Sequence, residues 1–400
     1  MHCKEITLKS GKKRWYCIDD APRDPATGKR RQIKRFGKTR GEARKRVEDA
    51  IEKIKNTGLN KTLTPNTTFK QIASEWITSY AKTGKSKNTI RIRLNQINTL
   101  NSRMAKMKVS DINHFMYQQV IYDIAQDVAY NTLDGINTCA GMIFRYALRN
   151  GLLKDNPRND IVLPRKRKTI EDITDDRVDE RYLETDEINE FLNAVLEYGL
   201  PLDKERFFTL AFSGMRPGEL TVLQKQDLDF ENNTININKT LYNPNNNMRK
   251  YELDIPKTEG SIRTIKMDQP IMDMLKRLVM KNDEYKLQYK LLLDEYHDKD
   301  FVFARPNGYP FVTKTLVNRM NRILDKTSIK KHATPHIFRH THISMLAEAG
   351  VDLPTIMQKV GHEDIDTTMR IYLHVTDKMK KDATEKTMNL FGNILEKIVL

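Results

Sequence analysis

Alternating apolar positions at the beginning of the chain predict a small sheet followed by a helix. The segments ITLKSGKKRWYCIDD and QIKRFG alternate apolar and polar residues on either side of the turn-like DPATGKRR, a pattern typical of short β-strands. From Ala43 to Ile54 an apolar residue recurs at helical spacing, and Gly58 follows, which predicts an amphipathic helix and its end. We therefore expect residues 1–62 to form a small α+β domain, a three-stranded sheet with one helix on its back.

A helical repeat of apolar residues fills residues 66–165. The polar run NKTLTPNTT precedes it as a linker, and four amphipathic segments follow, the last closing on Asn156-Pro157. This predicts an all-α bundle of four helices. The run PRKRK followed by EDITDDRVDE has little apolar content, which predicts an exposed linker over residues 166–181.

Mixed patterns predict that residues 182–385 form a mainly α domain with a small antiparallel sheet. LETDEINEFLNAVL has the pattern of a capped helix, and a long polar helix is predicted from Ile271 to about Asp294. NTININKT alternates as a strand, and KYELDIPKTEGSIRTIKM predicts a hairpin that turns at Glu259-Gly260. The tail, residues 386–400, carries an apolar stripe that would dock on a neighbouring copy of the chain or on its own domain.

The composition narrows the class of partner. A chain of 400 residues is long enough for two or three domains. A net charge of +16, a pI near 9.5 and a mean hydropathy of -0.64 indicate an anionic partner, with double-stranded DNA the leading candidate. A membrane surface also attracts cations, but the sequence contains no apolar run of about 18 residues and no signal-peptide core. We therefore expect a cytoplasmic, nucleoid-associated protein without membrane association.

Basic residues concentrate near the start of the chain, where residues 1–60 hold 18 Lys and Arg against 8 Asp and Glu. On the predicted sheet these cations would face a DNA groove. The alternative is a solvated basic tail, against which the alternating apolar residues argue. A second cluster in the bundle would contact the DNA backbone or form a solvated face. The candidate DNA contacts are Lys12, Lys13, Arg14, Arg30, Arg31 and Lys34 in the first group and Lys82, Lys85, Lys87, Arg91 and Arg93 in the second.

The stretch from Thr334 to Thr376 carries the candidate chemistry. Pro335 suits a first helical position, which places His336, Arg339 and His340 on one helix face. That face is suited to meet a phosphate.

The second half of this stretch adds a phenol. Pro354 and Gly361 bound a further predicted helix, so His362 would lie just past its end, and Asp366 is a predicted N-cap for the helix that holds Tyr372. A phenol has a pKa near 10 and is a weak nucleophile unless nearby donors stabilise the phenolate. Arginine and histidine side chains are such donors, so the set predicts attack of the tyrosine on a phosphodiester. The alternative is an ordinary tyrosine in an apolar core.

Two further cations precede this stretch. Arg216 lies between Gly214 and the predicted helix start at Pro217, with Glu219 at i+3, an arrangement that also fits a surface ion pair. Lys257 directly precedes the predicted hairpin turn.

Metal and disulfide chemistry have little support in the sequence. His336, His340 and His342 include an i and i+4 pair that could share a zinc ion, but the Glu of an H-E-x-x-H motif is missing. Three cysteines, Cys3, Cys17 and Cys139, lack C-x-x-C spacing. We therefore expect neither a zinc ribbon nor a disulfide framework, as in a reducing compartment.

Four motifs occur in a fixed order along the second half of the chain. They are SGMRPGEL around Arg216, PKTEGSIRTI with Lys257, PHIFRHTH, and KVGHEDIDTTMRIYLHV with His362 and Tyr372, over roughly Phe207 to Val375. Together they resemble the tyrosine recombinase family, also called phage integrases. The basic N-terminal segment looks like the arm-binding domain of integrases from temperate phages and conjugative transposons, and the helical bundle looks like their core-binding domain. The spacing from His362 to Tyr372 is one residue longer than in the Xer-type branch.

The resemblance implies a role for each motif residue. Tyr372 would attack the scissile phosphate, form a 3′-phosphotyrosyl link and free a 5′-hydroxyl. Arg216 and Arg339 would grip the non-bridging oxygens. The remaining implied roles are His362 as a further donor, Lys257 as the general acid, His336 in proton transfer or positioning, and Glu219 in support of the pocket.

The resemblance also implies a cofactor-free reaction in a homotetramer on DNA. Because the phosphotyrosine keeps the free energy of the broken bond, neither ATP nor a metal would be needed. An excisionase and DNA-bending proteins are candidate accessory partners. With residues 182–385 as the catalytic domain, the expected function is integration and excision of a mobile element at attachment sites. The alternatives are an Xer-type recombinase that resolves chromosome or plasmid dimers, and a DNA-binding protein without catalysis.

Overall fold

The computed structural model divides the chain into two units, Met1–Arg167 and Lys168–Leu400. Among the residues it describes, no helix is long and apolar enough to cross a membrane. The described residues are 1–7, 13–22, 30–57, 63–64, 66–165, 181–256, 259–292, 295–361 and 365–395. The predicted linker, residues 166–181, therefore lies outside them except for its last residue.

The predicted N-terminal sheet and helix are confirmed. Cys17 of the central strand is fully buried against Ala43 and Val47 of the helix, so the helix covers one face of the sheet. Because side chains alternate along a strand, the even-numbered positions of the central strand lie on the opposite, open face. The elements are β1 (His2–Thr7), β2 (Lys13–Ala21), β3 (Arg31–Gly37) and α1 (Arg40–Thr57), with strand order β1-β2-β3 and antiparallel pairing.

A disulfide joins Cys3 of β1 to Cys17 of β2. The expectation that the cysteines form no disulfide is therefore wrong for this pair. The two residues lie directly opposite each other in the β1–β2 register, and strand pairing brings them together although 14 positions separate them in the sequence. The third cysteine, Cys139, is free and buried.

The predicted all-α bundle of four helices is also confirmed. The Thr68 side chain caps the first helix and exchanges hydrogen bonds with Gln71 as a capping box, which satisfies backbone donors at the helix start. In the core, the Tyr117 hydroxyl donates to Asn137 Oδ1 at 3.0 Å. The helices are α2 (Phe69–Ala81), α3 (Lys87–Met104), α4 (His114–Asp127) and α5 (Tyr130–Arg149).

The second unit is mainly helical with two small antiparallel sheets, as predicted for residues 182–385. The sheet orders are β4-β5-β8 and β6-β7 among the described residues. Its helices are α6 (Thr185–Tyr198), α7 (Asp203–Ser213), α8 (Pro217–Leu220), α9 (Gln269–Tyr289), α10 (Thr313–Leu324), α11 (Ile337–Glu348), α12 (Leu353–Val360) and α13 (Ile365–Leu395). Its strands are β4 (Leu228–Asp229), β5 (Thr234–Ile237), β6 (Thr240–Tyr242), β7 (Glu252–Asp254) and β8 (Arg263–Lys266).

One predicted strand pairing needs correction. The predicted hairpin over KYELDIPKTEGSIRTIKM is wrong, because β7 pairs with β6 whereas β8 pairs with β5. The reason is burial: β8 turns Arg263 and Ile265 inward beside buried Ile235 and Ile237, whereas the residues of β7 are exposed or half-buried. The final helix, α13, continues through the predicted start of the tail at residue 386. The side chains of the tail's apolar stripe lie outside the described residues.

An aromatic cluster holds the helix that carries Arg339, α11, in place. Phe338 of α11 is fully buried, and its ring centroid lies 5.2 Å from that of Phe191 and 5.7 Å from that of Phe207. Since Phe338 directly precedes Arg339, this packing sets the direction in which the arginine leaves the helix.

We expect Phe338→Ala to lower the free energy of unfolding of the second unit by about 3–5 kcal/mol, because removal of a buried ring leaves a cavity. Calorimetric unfolding of the full chain would measure the change. The control is Leu196→Ala on α6, where the side chain is 55% exposed and the expected change stays within about 0.5 kcal/mol. Equal effects of the two substitutions would contradict the packing argument.

Candidate active site

A tight turn presents Arg216 at the start of α8. Gly214 ends α7 with a φ of +64°, and Pro217 occupies the first turn of α8. Arg216 therefore becomes the N-cap residue, and its backbone N–H and its Nη1 donate to the two carboxylate oxygens of Glu219, both at 2.9 Å. A Cβ at Gly214 would lie 2.7 Å from a ring carbon of His342, so only glycine permits this approach.

Glu219 is a buried carboxylate between two arginines. It is 2% exposed, and its Oε2 lies 3.0 Å from Nη2 of Arg263 on β8. Burial opposes ionisation of Glu219, but the charge and hydrogen bonds of Arg263, followed by those of Arg216, outweigh it and hold the pKa of Glu219 below its usual value. The alternative interpretation of Arg216 and Glu219 as a surface ion pair is therefore wrong.

Arg339 joins this network from α11. It is 3% exposed, and its Nη1 donates to the carbonyl oxygen of Gly214 at 2.8 Å. Burial, followed by the charges of Arg216 and Arg263, lowers its pKa, and Glu219 acts in the opposite direction. Among the described residues, three guanidinium groups and one carboxylate therefore interact through their charges. An arrangement with this excess of positive charge favours an anion such as phosphate.

His336 and His340 flank Arg339 as the helical spacing predicts. The start of the helix needs correction, because α11 begins at Ile337 and His336 is its N-cap residue rather than the second residue of the helix. Partial burial of the ring, followed by the charges of Arg339 and Arg216, lowers the pKa of His336. Burial and the Arg339 charge lower the pKa of His340 to about 4. Both imidazoles are therefore predominantly neutral near pH 7.

His342 faces away from the other two histidines, toward the backbone of α7. Its Nδ1 lies 3.0 Å from the Ala211 carbonyl oxygen, so this nitrogen carries the proton and donates. Burial lowers the pKa of His342 to about 3. Within the described ranges, no group of three His, Cys, Asp or Glu side chains could hold a metal ion. The zinc interpretation of these histidines gains no support from this arrangement.

The end of α12 is tied to the same arginines. Arg263 Nε donates to the carbonyl oxygen of Lys359 at 3.0 Å, and Arg216 Nη2 donates to that of Gly361 at 3.3 Å. Gly361 ends the helix with a φ of +67°, as predicted, and a Cβ there would lie 2.7 Å from the carbonyl oxygen of Gly260. The backbone directly before His362 is therefore held in place by the arginine network.

Tyr372 lies on α13, on a face that packs against α11 and α12. Its half-buried side chain contacts an apolar cluster with members on all three helices. The helix begins at Ile365, so Asp366 lies in its first turn rather than at the N-cap. The buried members of the cluster are Tyr182, Ile343, Ala347, Ile356, Val360, Ile371 and Val375.

Lys257 and His362 lie outside the described residues, and their predicted roles remain predictions. Of the described residues nearby, Gly361 packs closely against the carbonyl oxygen of Gly260. Lys12 and the side chain of Arg31 also lie outside the described residues.

The described N-terminal cations fall into two groups: some lie on the open face of the sheet, and others are paired with acidic side chains. Arg14 occupies the open face of the sheet, and Lys34 is on the same face because it is paired in register with Ile18. Lys34 Nζ lies 3.9 Å from the Tyr16 ring centroid, a cation–π contact. The cations with acidic partners are Lys13, whose Nζ lies 3.3 Å from Glu5 Oε2, and Arg30, whose Nη2 lies 2.6 Å from Asp20 Oδ2.

The bundle cations are mostly at the surface. Lys82, Lys85, Lys87 and Arg91 are exposed near the end of α2 and the start of α3. Arg93 is half-buried, and its Nη1 donates to Gln96 Oε1 at 2.8 Å. Arg93 is therefore the member of this group that is least accessible to DNA.

Arg263 belongs to the site although no predicted role fell on it. It stands in the motif PKTEGSIRTI, but only Lys257 of that motif received a predicted role. A local feature could have revealed it: in RTIK the inward positions are Arg263 and Ile265, so a charged residue occupies a buried strand position. Such a charge needs a partner.

Comparison with known proteins assigns the chain to a family. The model of the phage integrase family matches residues 181–379, and that of the phage integrase central domain matches residues 69–162. The integrase of Staphylococcus phage L54a is 30% identical over 358 residues, which cover 86% of this chain and 99% of that protein.

Two solved structures share the fold. The Tn1549 transposon integrase in complex with transposon right end DNA has a TM-score of 0.62 at 21% identity and covers 80% of this chain and 99% of its own. A lambda integrase tetramer bound to a Holliday junction has a TM-score of 0.53 at 14% identity and covers 92% and 94%. The chain belongs to the phage integrase family. It is a site-specific tyrosine recombinase of the kind that integrates and excises mobile elements.

We expect Glu219→Gln to destabilise the second unit by about 3–5 kcal/mol at neutral pH, because it leaves buried Arg263 without its counter-charge. The folded-state pKa of Glu219 is lowered, so its contribution is present above the unfolded pKa of about 4.3 and is lost as the pH falls through the folded value. The difference between wild type and variant in denaturant unfolding should therefore shrink below about pH 4. Exposed Glu231→Gln is the control. A difference that does not change with pH would contradict the assignment.

Proposed function

We propose that this chain cuts and rejoins double-stranded DNA at attachment sites through a 3′-phosphotyrosyl intermediate, with Tyr372 as the nucleophile. The observation that carries the proposal is the convergence of Arg216 and Arg339 on the Gly214 turn, next to one buried carboxylate. Tyr372 packs against the helix that carries Arg339, so the phenol lies on an element in direct contact with that helix.

The chemistry follows from the charges. In the first step the Tyr372 oxygen forms a bond to the scissile phosphorus, and the bond from phosphorus to the 5′-oxygen breaks. Negative charge grows on the non-bridging oxygens, where Arg216 and Arg339 stabilise it without a metal. The leaving 5′-oxygen needs a proton, which we assign to Lys257 as general acid, with a phosphate contact as its alternative role. His362 is proposed as a further donor to the phosphate.

A neutral imidazole can accept the proton that the Tyr372 hydroxyl must lose. The pKa of His336 is lowered by partial burial and by Arg339 and Arg216, so the ring can accept a proton near pH 7. We therefore assign His336 to proton transfer from the tyrosine hydroxyl. In the second step a 5′-hydroxyl attacks the phosphotyrosine, the bond between phosphorus and the Tyr372 oxygen breaks, and the phenol takes back its proton, which restores the enzyme.

The remaining parts of the chain would hold the DNA. We assign residues 1–62 to arm-type DNA binding, residues 66–165 to core binding and residues 182–385 to catalysis. Arg14 and Lys34 on the open sheet face would contact the arm-type site, whereas Arg30 has its charge compensated by Asp20. Exposed Lys85, Lys87 and Arg91 would contact the core site.

We infer that four protomers assemble on two DNA duplexes in the cytoplasm, in association with the nucleoid. The lambda integrase tetramer on a Holliday junction supports this inference through its shared fold. The tail, residues 386–400, would dock on a neighbouring protomer. An excisionase and DNA-bending proteins are proposed as accessory partners.

We expect Tyr372→Phe to abolish covalent attachment to DNA while DNA binding persists, because the ring still packs and only the attacking oxygen is lost. Removal of a single donor such as Arg216 should instead cost on the order of 100- to 1,000-fold. A suicide substrate nicked near the cleavage site, scored for an adduct that survives SDS, measures both. The control Tyr289→Phe removes a hydroxyl from an exposed side chain at the end of α9 and should react normally.

Two results of this assay would overturn the proposal. An adduct with the Phe variant would exclude Tyr372 as nucleophile. Loss of the wild-type adduct in EDTA would favour the zinc interpretation of the histidines.

Deletion of residues 1–62 should flatten the salt dependence of binding to attachment-site DNA, since each lost phosphate contact reduces the slope of log K against log salt by about 0.9. Cleavage at the core site should survive. Arg14→Ala and Lys34→Ala should each reduce the slope more than Arg30→Ala, whose side chain is paired with Asp20. Equal slopes for the full chain and the deletion would refute arm-type binding by this domain.

A further inference from the structure

We propose that Arg263 is a positioning residue for the recombination reaction, which sets the guanidinium of Arg216 for the scissile phosphate by holding Glu219. The inference rests on the role proposed for Arg216 and adds a residue to which none of the predicted roles was given. Arg263 itself need not touch DNA.

The first argument is the number of contacts that one side chain makes. Arg263 Nη2 and Nη1 donate to the two oxygens of Glu219 at 3.0 and 3.4 Å. Nη1 also donates to the Ser261 carbonyl oxygen, and Nε to that of Lys359, both at 3.0 Å. One guanidinium therefore connects α8, the turn before β8 and the end of α12. The planar fork of arginine suits such multiple bonding, and a lysine ammonium cannot reproduce it.

The second argument is accessibility. The Arg263 side chain is 6% exposed, whereas that of Arg216 is 33% exposed. Both contact the same carboxylate, but only Arg216 keeps a substantial solvent-facing surface for a ligand. The buried arginine is suited to a fixed role and the exposed one to binding.

The third argument is charge. Alone with Glu219, Arg216 would form a neutral pair, and its guanidinium would be occupied by the carboxylate. Because Arg263 shares that carboxylate, the three groups together carry one net positive charge. Arg263 is also the leading cause of the lowered pKa of Glu219. Arg263 therefore keeps Glu219 ionised and leaves Arg216 with unbalanced charge for the phosphate.

The test compares suicide substrates with a normal or a methylphosphonate scissile linkage. A methyl group in place of one non-bridging oxygen removes the charge that Arg216 is proposed to neutralise, so Arg216→Ala should recover on this substrate. If Arg263 acts through Arg216, Arg263→Ala should recover in parallel. On normal DNA we expect Arg263→Ala to lower the cleavage rate on the order of 100-fold, as a small displacement of a reacting group does.

Two further variants separate positioning from general stability. Arg319 forms another partly buried ion pair in the same unit, with Nη1 3.2 Å from Asp203 Oδ2, so Arg319→Ala is the control and should show no substrate-dependent recovery. Arg263→Lys keeps the charge but loses the fork, and it guards against failure of the Ala variant to fold. It should cleave normal DNA more slowly than wild type and also recover on the neutral linkage.

The outcomes are distinct. Recovery of both Arg216→Ala and Arg263→Ala supports the inference. Recovery of Arg216→Ala without recovery of the Arg263 variants overturns the positioning role and leaves the proposed function intact, as does a wild-type cleavage rate for Arg263→Lys. Failure of Arg216→Ala to recover overturns the role of Arg216 itself, and the inference with it.

Discussion

The buried carboxylate of Glu219 is the constraint on which the rest of the site depends. Its two oxygens receive hydrogen bonds from Arg216 and Arg263, which come from α8 and β8. A charge at this depth is tolerated only when it is paired and hydrogen-bonded. The same arginines donate to the carbonyl oxygens at the end of α12. Three segments distant in sequence therefore meet at this carboxylate and its two arginines, and removal of the Glu219 or Arg263 side chain would leave a buried charge without its partner.

The Glu219 carboxylate is surrounded by more positive charge than it neutralises, so the site favours an anion. Arg339 approaches the same turn from α11, its direction fixed by the packing of Phe338, and its pKa is lowered by burial and by the neighbouring cations. Like charges held together in a partly dry site repel each other, so a bound phosphate would relieve an unfavourable interaction that the fold maintains. This is the physical basis of electrostatic preorganisation: the donors are oriented before the substrate arrives, at the cost of some stability.

Local signals in the sequence predict the helices and their ends near the site well. Pro354 and Gly361 predict the start and the end of α12, and Pro217 predicts the helix entry that presents Arg216, because these preferences act within a few residues. The sequence predictions that failed concern pairing between distant segments. The partner of β7, the Cys3–Cys17 disulfide and the burial of Glu219 are all set by tertiary contacts. A spacing argument cannot see which strand lies opposite.

Arg263 shows how such a partner becomes detectable once the strand is known. An inward-facing arginine beside Ile265 conflicts with the apolar alternation of its strand, and a fold retains this conflict only if a buried acid elsewhere resolves it. Glu219, which precedes Leu220 in the otherwise apolar turn of α8, presents the complementary conflict. Neither residue is conclusive alone, but each requires a partner of the charge that the other supplies. A positive and a negative residue, each at a position where an apolar residue is expected, thus predict one tertiary contact. That contact lies beside the arginine proposed to bind the phosphate.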